Sequence, residues 1–345
     1  MSTIGNTYPT LVDVAARSGE DGKVQTTIAE LLSQTNEPLQ DIPWIEGNLP
    51  TGHKTIVRTG LPQATWRRLN YGVPAGKSTT AAVTDVTGML ETYSVIDKDL
   101  ADLNGNTASF RLTEDRAFLE GMNQQFTQAL FYESIGANPD RITGLSPRYS
   151  SLSAGSGANI VDAGGTGSSN TSIWLVVWGP DTIHGIYPKG TIAGLTHMDV
   201  TTSAPILDVN GNRFQAYQTK YQWKCGLTVR DWRYAVRICN IDTTTSAGGL
   251  QSTTPPNLYR LMIKAMNKIP NFPANGNTSP NLAPTGKAAF YVNRAVKTWG
   301  DIQAMEKTTL AFQTIMDAQG RPFLSFRGVP VRLTDQLLNT ETRVV

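Results

Sequence analysis

Gly76-Lys77-Ser78 has the ending of a phosphate-binding P-loop and is the first stretch of this chain to test for chemistry. A P-loop cradles an anion because a glycine five residues earlier and a helix immediately after it present backbone N–H groups to the phosphates. Here position 71 is Tyr, Gly72 is one place off, and the residues after Ser78 read as strand. Nucleotide binding is not expected. Asp97, Asp99, Asp102 and Asn104 invite a calcium loop, but Ala101 stands where the third ligand belongs and no Glu fills the twelfth place. His53, His184 and His197 lack HExxH spacing, and Cys225 and Cys239 lack the pairing of a metal site. There is no GxSxG elbow. These residue types and spacings suggest no catalytic residue, cofactor or metal. What remains is basic: Arg67-Arg68, and Arg230, Arg233 and Arg237, which suit phosphates, a neighbouring subunit's carboxylates or a solvated turn.

Composition narrows the class further. A net charge of +2 over 345 residues gives no whole-chain basic field of the kind a dedicated nucleic-acid binder carries. Charged residues are only 17% of the chain, against 31 Gly and 19 Pro, so much of it must run extended or looped. No apolar run approaches the ~20 residues that span a bilayer. The start, MSTIGNTYPT, has neither a basic nor an apolar signal region, and two cysteines make no disulfide framework. A reducing cytoplasm is the expected site of synthesis.

The elements that would position anything are unevenly sized. Thr113 to Ile135 puts Phe118, Met122, Phe126, Ala129 and Leu130 on one helical face, with Thr113 as N-cap and Gly136-Ala137-Asn138-Pro139 as its stop. Its 23 residues give a rod of roughly 35 Å, about twice the usual length. Ahead of it, residues 1–23 read as an extended arm, Val24 to Ser33 as a short helix, and Pro43-Trp44-Ile45 as an aromatic anchor. His53 to Thr59, Gln63 to Asn70 and Ser78 to Val95 read as strands of a long ribbon with a turn at Gly72 to Gly76. Two strands alone are marginal in water, so such a ribbon needs another surface, which is a sign of assembly.

After the helix, Gly155 to Asn170 reads as a surface loop and Ile173 to Trp178 as a fully apolar strand. Phe214 to Asp242 reads as a hairpin with Cys225 and Cys239 roughly opposite, taken as two small core residues. A helix capped by Thr254 and opened by Pro255 buries Leu258, Leu261, Met262, Ala265 and Met266. A Pro/Asn loop at 271–286, a strand at Ala288 to Val292, a helix at Thr298 to Lys307 and strands at Leu310 to Met316 and Pro322 to Leu333 complete an α/β layer.

This order of parts resembles the major capsid proteins of tailed double-stranded DNA phages, short-tailed members in particular, with the fold named after phage Hong Kong ninety-seven. The residues that carry the resemblance are Ala29 to Asn36 with Pro43 to Asn48, Asp97 to Leu103, the long helix, Trp223 to Asp242, Ala288 to Arg294, and Phe326-Arg327-Gly328-Val329-Pro330-Val331. The resemblance implies an α+β phage major capsid fold. It has an N-terminal arm (1–48), an extended two-stranded loop (49–96), a spine helix with a peripheral β-sheet (97–250, part of 150–200 being able to belong to the axial domain) and an α/β axial domain (251–345). One departure is that the hairpin precedes the Pro255 helix, where the family places it last. The implied function is structural: self-assembly into hexamers and pentamers of an icosahedral head enclosing double-stranded DNA, with no enzyme activity and no membrane. Expected partners are further copies of the chain, a separate scaffolding protein, a portal, cement or decoration proteins and the packaged DNA. The place is the virion, after assembly in the host cytoplasm. Expected inter-subunit contacts are Trp44, Trp66, Arg67, Arg68 and Lys77. Lys77 lies where some relatives form covalent crosslinks, but no matching Asn is identifiable and no crosslink is expected. The alternative from another class is an extracellular β-rich adhesion or glycan-binding module.

Overall fold

The computed structural model describes residues 34–102, 107–202, 204–207, 210–270, 286–306, 312–316 and 322–345. The helix expected at Val24 to Ser33, the Pro/Asn loop and the turn Asp317 to Gly320 lie outside them, apart from Gly286 at the loop's end. In chain order the elements begin with α1 (Pro38–Asp41), β1 (Trp44–Glu46), β2 (Gly52–Gly60), β3 (Thr79–Asp97), α2 (Lys98–Asp102), α3 (Thr107–Tyr132) and α4 (Leu145–Arg148). There follow β4 (Ile160–Asp162), β5 (Asn170–Trp178), β6 (Ile183–Tyr187), β7 (Leu195–Asp199), β8 (Ile206–Leu207), β9 (Arg213–Phe214), β10 (Ala216–Val229) and β11 (Ala235–Asp242). The last are α5 (Leu258–Met266), β12 (Lys287–Val292), α6 (Arg294–Glu306), β13 (Phe312–Met316), β14 (Pro322–Phe326) and β15 (Val329–Leu333).

The chain divides into two compact units. One takes Met89–Thr127 and Gly194–Lys224; the other takes Asn36–Gly88, Gln128–Ala193 and Cys225–Val345. Within the second unit β5 pairs with both β11 and β12, which ties residues 170–178 and 235–242 to 287–292 and, through β15, to 329–333 in one sheet.

The second unit is built on β5, every residue of which is buried. β11 runs antiparallel along one side of it and β12 antiparallel along the other, with β15 parallel to β12 and then β14 and β13. Successive side chains of a strand point to opposite faces, so a strand covered on both faces reads as a continuous apolar run. Ile173, Leu175 and Val177 enter the core with Val236 and Ile238 of β11 and with Leu258, Leu261, Met262, Ala265 and Met266 of α5. Trp174 and Trp178 enter an aromatic layer, where Phe131 of α3 lies 6.1 Å from Trp174 and Tyr291 lies 6.3 Å from Trp178. Each such side chain contributes about 1.5–3 kcal/mol by leaving water.

Several local expectations are corrected. α3 starts six residues before Thr113 and ends at Tyr132, and Thr113 is interior, its hydroxyl donating back to the Ser109 carbonyl. Its 26 residues make a rod of roughly 39 Å. Asn257, not Thr254, caps α5, its side chain accepting the Arg260 N–H at 3.1 Å. β10 and β11 do not pair with each other: β10 joins β6 and β7, while β11 joins β5 and β4. The link between them turns away because Arg230 and Asp231 donate their N–H groups to the Thr182 carbonyl and Asp231 caps the turn Trp232–Tyr234. Cys225 and Cys239 are free, buried thiols on strands that do not pair, each pushed up to about 12, mainly by burial. The expected surface loop at Gly155 to Asn170 holds a 3-10 turn, Gly155–Asn159, and the buried Ile160 and Val161 of β4.

In the first unit β7 pairs antiparallel with β10 from Thr219 to Trp223, and Phe126 of α3 lies 4.4 Å from Trp223. Arg111 of α3 donates to Asp199 at 2.9 Å and to Thr219 at 3.0 Å while its guanidinium sits over the Tyr217 ring. Hydrogen bonds from the Thr201 hydroxyl and N–H, and then the Arg111 guanidinium, hold the Asp199 carboxyl down at about 2.

Candidate assembly surface

β2 and β3 form the ribbon, paired antiparallel from Gly52↔Val86 to Gly60↔Thr79. Glycine is required at the root: a Cβ on Gly52 would stand 2.1 Å from the Asp85 carbonyl oxygen. Asp85, opposite His53, is itself buried; it accepts from Arg148 Nη2 at 2.7 Å and from the Val229 N–H at 3.4 Å. Arg148 also reaches the carbonyls of Thr143 and Leu227. The ribbon's base is thus held by a charge pair out of water, a pairing that is costly to break.

Beside this pair His53 meets His184 of β6 edge to face, ring centroids 5.8 Å apart. His184 is buried; among the described residues its ring nitrogens have no well-formed hydrogen bond, only a weak approach to the Gly179 backbone. Burial, followed by the charges of His53 and Arg230, lowers its pKa to about 4, so at neutral pH it packs as a neutral ring. Burial also lowers His53. A groove of about 900 Å3 runs along β2 from Thr55 to Leu61, with Asp181 and Arg230 to Arg233 on its other side. Arg230 bonds Asp181 and Arg233 bonds Asp231, so the charges there are largely matched within the chain.

The distal ribbon has no such support. The strand expected at Gln63 to Asn70 is not formed; residues 61–78 make one loop between β2 and β3, and all of them are exposed. Trp66 is 100% exposed, Leu69 86% and Leu61 75%. Arg67 Nε donates to the Tyr71 carbonyl at 3.3 Å, and the Arg68 guanidinium lies 5.6 Å from the Tyr71 ring. Lys77 is exposed in the same loop, and Gly76-Lys77-Ser78 leads into a strand, as a P-loop cannot. Residues 51–84 hold Lys54, Arg58, Arg67, Arg68 and Lys77 and no acid. Trp44 differs from these four: it is half-buried, in parallel pairing with β6, and its ring would be struck at 2.7 Å by a Cβ on Gly185.

Among the described residues no group of His, Cys, Asp and Glu could hold a metal, and no helix is long and apolar enough to cross a membrane. Motif spacing carries no signal for the Asp85–Arg148 and His53–His184 pairs, whose partners are 63 and 131 positions apart.

A family model described as Major capsid protein GP7 matches residues 19–345. The chain belongs to this capsid protein family. It is a structural protein of a phage's icosahedral shell. A chain of the near-atomic cryo-EM structure of bacteriophage Epsilon15 is 34% identical, covers 100% of this chain with 99% of its own length, and superposes with a TM-score of 0.73. The bacteriophage JBD30 capsid, 10% identical, covers 90% of this chain with 94% of its own at a TM-score of 0.46. A search of curated proteins gave no match. The expected α+β capsid fold, with its projecting ribbon and long helix, is therefore the fold of this family, and the adhesion-module alternative has no support.

Proposed function

We propose that this capsid protein forms hexamers and pentamers in which the ribbon of each copy overlaps a neighbour and buries there what its own molecule leaves in water. The observation that carries this reading is Trp66, an indole wholly exposed at the end of a stem whose root is rigidly held. Burying such a side chain contributes about 2–3 kcal/mol, and Trp, Tyr and Arg are the residues that dominate interfaces. Trp66, Arg67, Arg68 and Lys77 are the contacts the ribbon offers, with Trp44 adding only the part of its ring not used within its own chain. The unit that contains β5, β11, β12, α5 and α6 serves as the axial domain, and the unit with β7 and the first half of β10 as the peripheral one. The shell encloses double-stranded DNA by non-specific contact. Scaffold, portal and cement proteins are separate chains, assembly takes place in the host cytoplasm, and the protein has no enzymatic role.

The test is to replace residues 61–78 by Asn-Gly, a two-residue turn suited to joining antiparallel strands. The variant is expected to remain folded by circular dichroism and to give subunits but no shells in negative-stain images. Normal shells from it would remove the ribbon's assigned role.

A further inference from the structure

β7 has an edge that no other strand among the described residues covers. It pairs with β10 alone, from Leu195↔Trp223 to Asp199↔Thr219, and all five of its residues are exposed. Beyond its end the Val200 N–H donates to the Gln218 carbonyl. Bonded residues alternate along an antiparallel ladder, so the N–H and C=O groups of Leu195, His197 and Asp199 point away from β10. Proteins normally block such an edge with lysine, proline or a bulge. Leu195 to Asp199 holds neither lysine nor proline, and its register with β10 is unbroken. Leu195 and Met198 stand exposed on it. The nearby charges are already matched: Asp199 by Arg111, and Lys220, opposite Met198, by Glu91.

We propose that β7 of one copy pairs antiparallel with β7 of a second copy across a twofold axis, His197 facing His197. The occupant is a second copy because the strand is complementary to itself. With His197 at the centre, Leu195 lies opposite Asp199 of the second copy, and the three outward residues exchange about six backbone hydrogen bonds. Met198, on the other face, comes to lie against Thr196 of the second copy. Because Asp199 and Lys220 are paired at home, no unmatched charge repels an identical edge. A contact between identical patches is what a twofold axis requires, and an icosahedral shell has such axes. The pairing makes one sheet of two copies and leaves the ribbon free to act elsewhere. It rests on this chain's place in an icosahedral shell, not on where the ribbon lies.

Two experiments decide it. Cys225 and Cys239 are buried, so in shells assembled from a His197→Cys chain the new thiol is the exposed one. Oxidation by diamide is expected to give dimers linked from position 197 to position 197, since facing residues hold their Cα atoms about 5.5 Å apart, within disulfide reach. Shells that give no more of this dimer than the free subunit, or a link from position 197 to a different protein, would overturn the proposal. His197→Pro removes the central outward N–H and no bond to β10. It is expected to leave the subunit's Tm nearly unchanged and to lower shell yield by at least about tenfold, the scale of one lost pair of hydrogen bonds. If His197→Pro forms shells in normal yield while the chain with Asn-Gly for residues 61–78 forms none, the ribbon overlap stands and this pairing is wrong.

Discussion

Arg148 Nη2 lies 2.7 Å from Asp85 Oδ1, and only 4% of the Asp85 side chain is exposed. The pair joins the returning strand of the ribbon to α4. Asp85→Ala leaves a mostly buried guanidinium without its counter-ion, which typically destabilises by about 3–5 kcal/mol. Urea unfolding of the subunit is expected to show a loss of this size, and limited proteolysis should cut the ribbon faster.

His184 makes the same root sensitive to acid. Its folded pKa, about 4, lies below the ordinary 6.5, so between these values the unfolded chain binds the proton and the folded chain does not. Stability is therefore complete above about pH 6.5 and falls as the pH drops toward 4. His53, Arg230, the Gly179 backbone and Asp85 act on the ring; the first two oppose its protonation, and Gly179 and Asp85 favour it. At ~1.4 kcal/mol per unit the whole loss is roughly 3 kcal/mol. His184→Phe keeps a planar aromatic ring, slightly larger, and removes the two titratable ring nitrogens. It is expected to flatten the fall of Tm between pH 6.5 and 4; an unchanged slope would place the acid sensitivity elsewhere.

How far the sequence could be read depends on the distance over which the physics acts. The α5 face was legible because Leu258, Leu261, Met262, Ala265 and Met266 repeat at helical spacing, and all of them are buried. The apolar run at Ile173 to Trp178 announced a strand covered on both faces for the same local reason. Pairing was not legible. Alternation in β10 and β11 gives the faces of each strand but not its neighbour, and β11 finds β5 about sixty residues back in the chain. The start of α3 was misjudged because Thr113 resembles a cap, although a threonine inside a helix can return its hydroxyl to the carbonyl four residues earlier. On the candidate surface, the exposure of Trp66, Arg67, Arg68 and Lys77 was legible because a turn-rich stretch with few large apolar residues has no core to enter. Asp85, Arg148, His53 and His184 were not, since each is an ordinary residue until the fold brings it to its partner.

Glu341 ties the last residues of the chain to the sheet. It accepts from Arg237 Nη2 at 2.8 Å, from the Tyr132 hydroxyl at 2.5 Å and from the Ser172 hydroxyl, while Arg237 also lies over the Trp174 ring. Both charged side chains are 4% exposed. Glu341→Ala leaves Arg237 buried and unpaired, so a loss of about 3–5 kcal/mol is expected in urea unfolding. In Glu341→Ala/Arg237→Met both charges are gone, and much of the loss should return. A double variant no more stable than the single one would mean that the hydroxyl bonds, not the charge pair, hold this segment.

The proposed overlap predicts that the ribbon's charge makes assembly depend on salt. Its outer part, residues 51–84, carries five of the chain's 30 basic residues and none of its 28 acids, so the rest of each copy has 25 bases against 28 acids and is net acidic by three. If the ribbon overlaps a neighbour as proposed, the two attract while still apart, and this attraction is screened as the Debye length falls from about 10 Å at 0.1 M salt to about 3 Å at 1 M. The apolar part of the contact responds in the opposite sense, since salting-out strengthens burial. At moderate ionic strength the charges act first, because they guide the encounter before any apolar surface is covered. Assembly followed by light scattering is expected to slow as sodium chloride rises through this range. In Arg58→Gln/Arg67→Gln/Arg68→Gln it should be slower at low salt and nearly independent of salt. If the variant keeps the full salt dependence, the screened charges are not those of the ribbon, and the attraction must be sought in the acidic residues and their other partners.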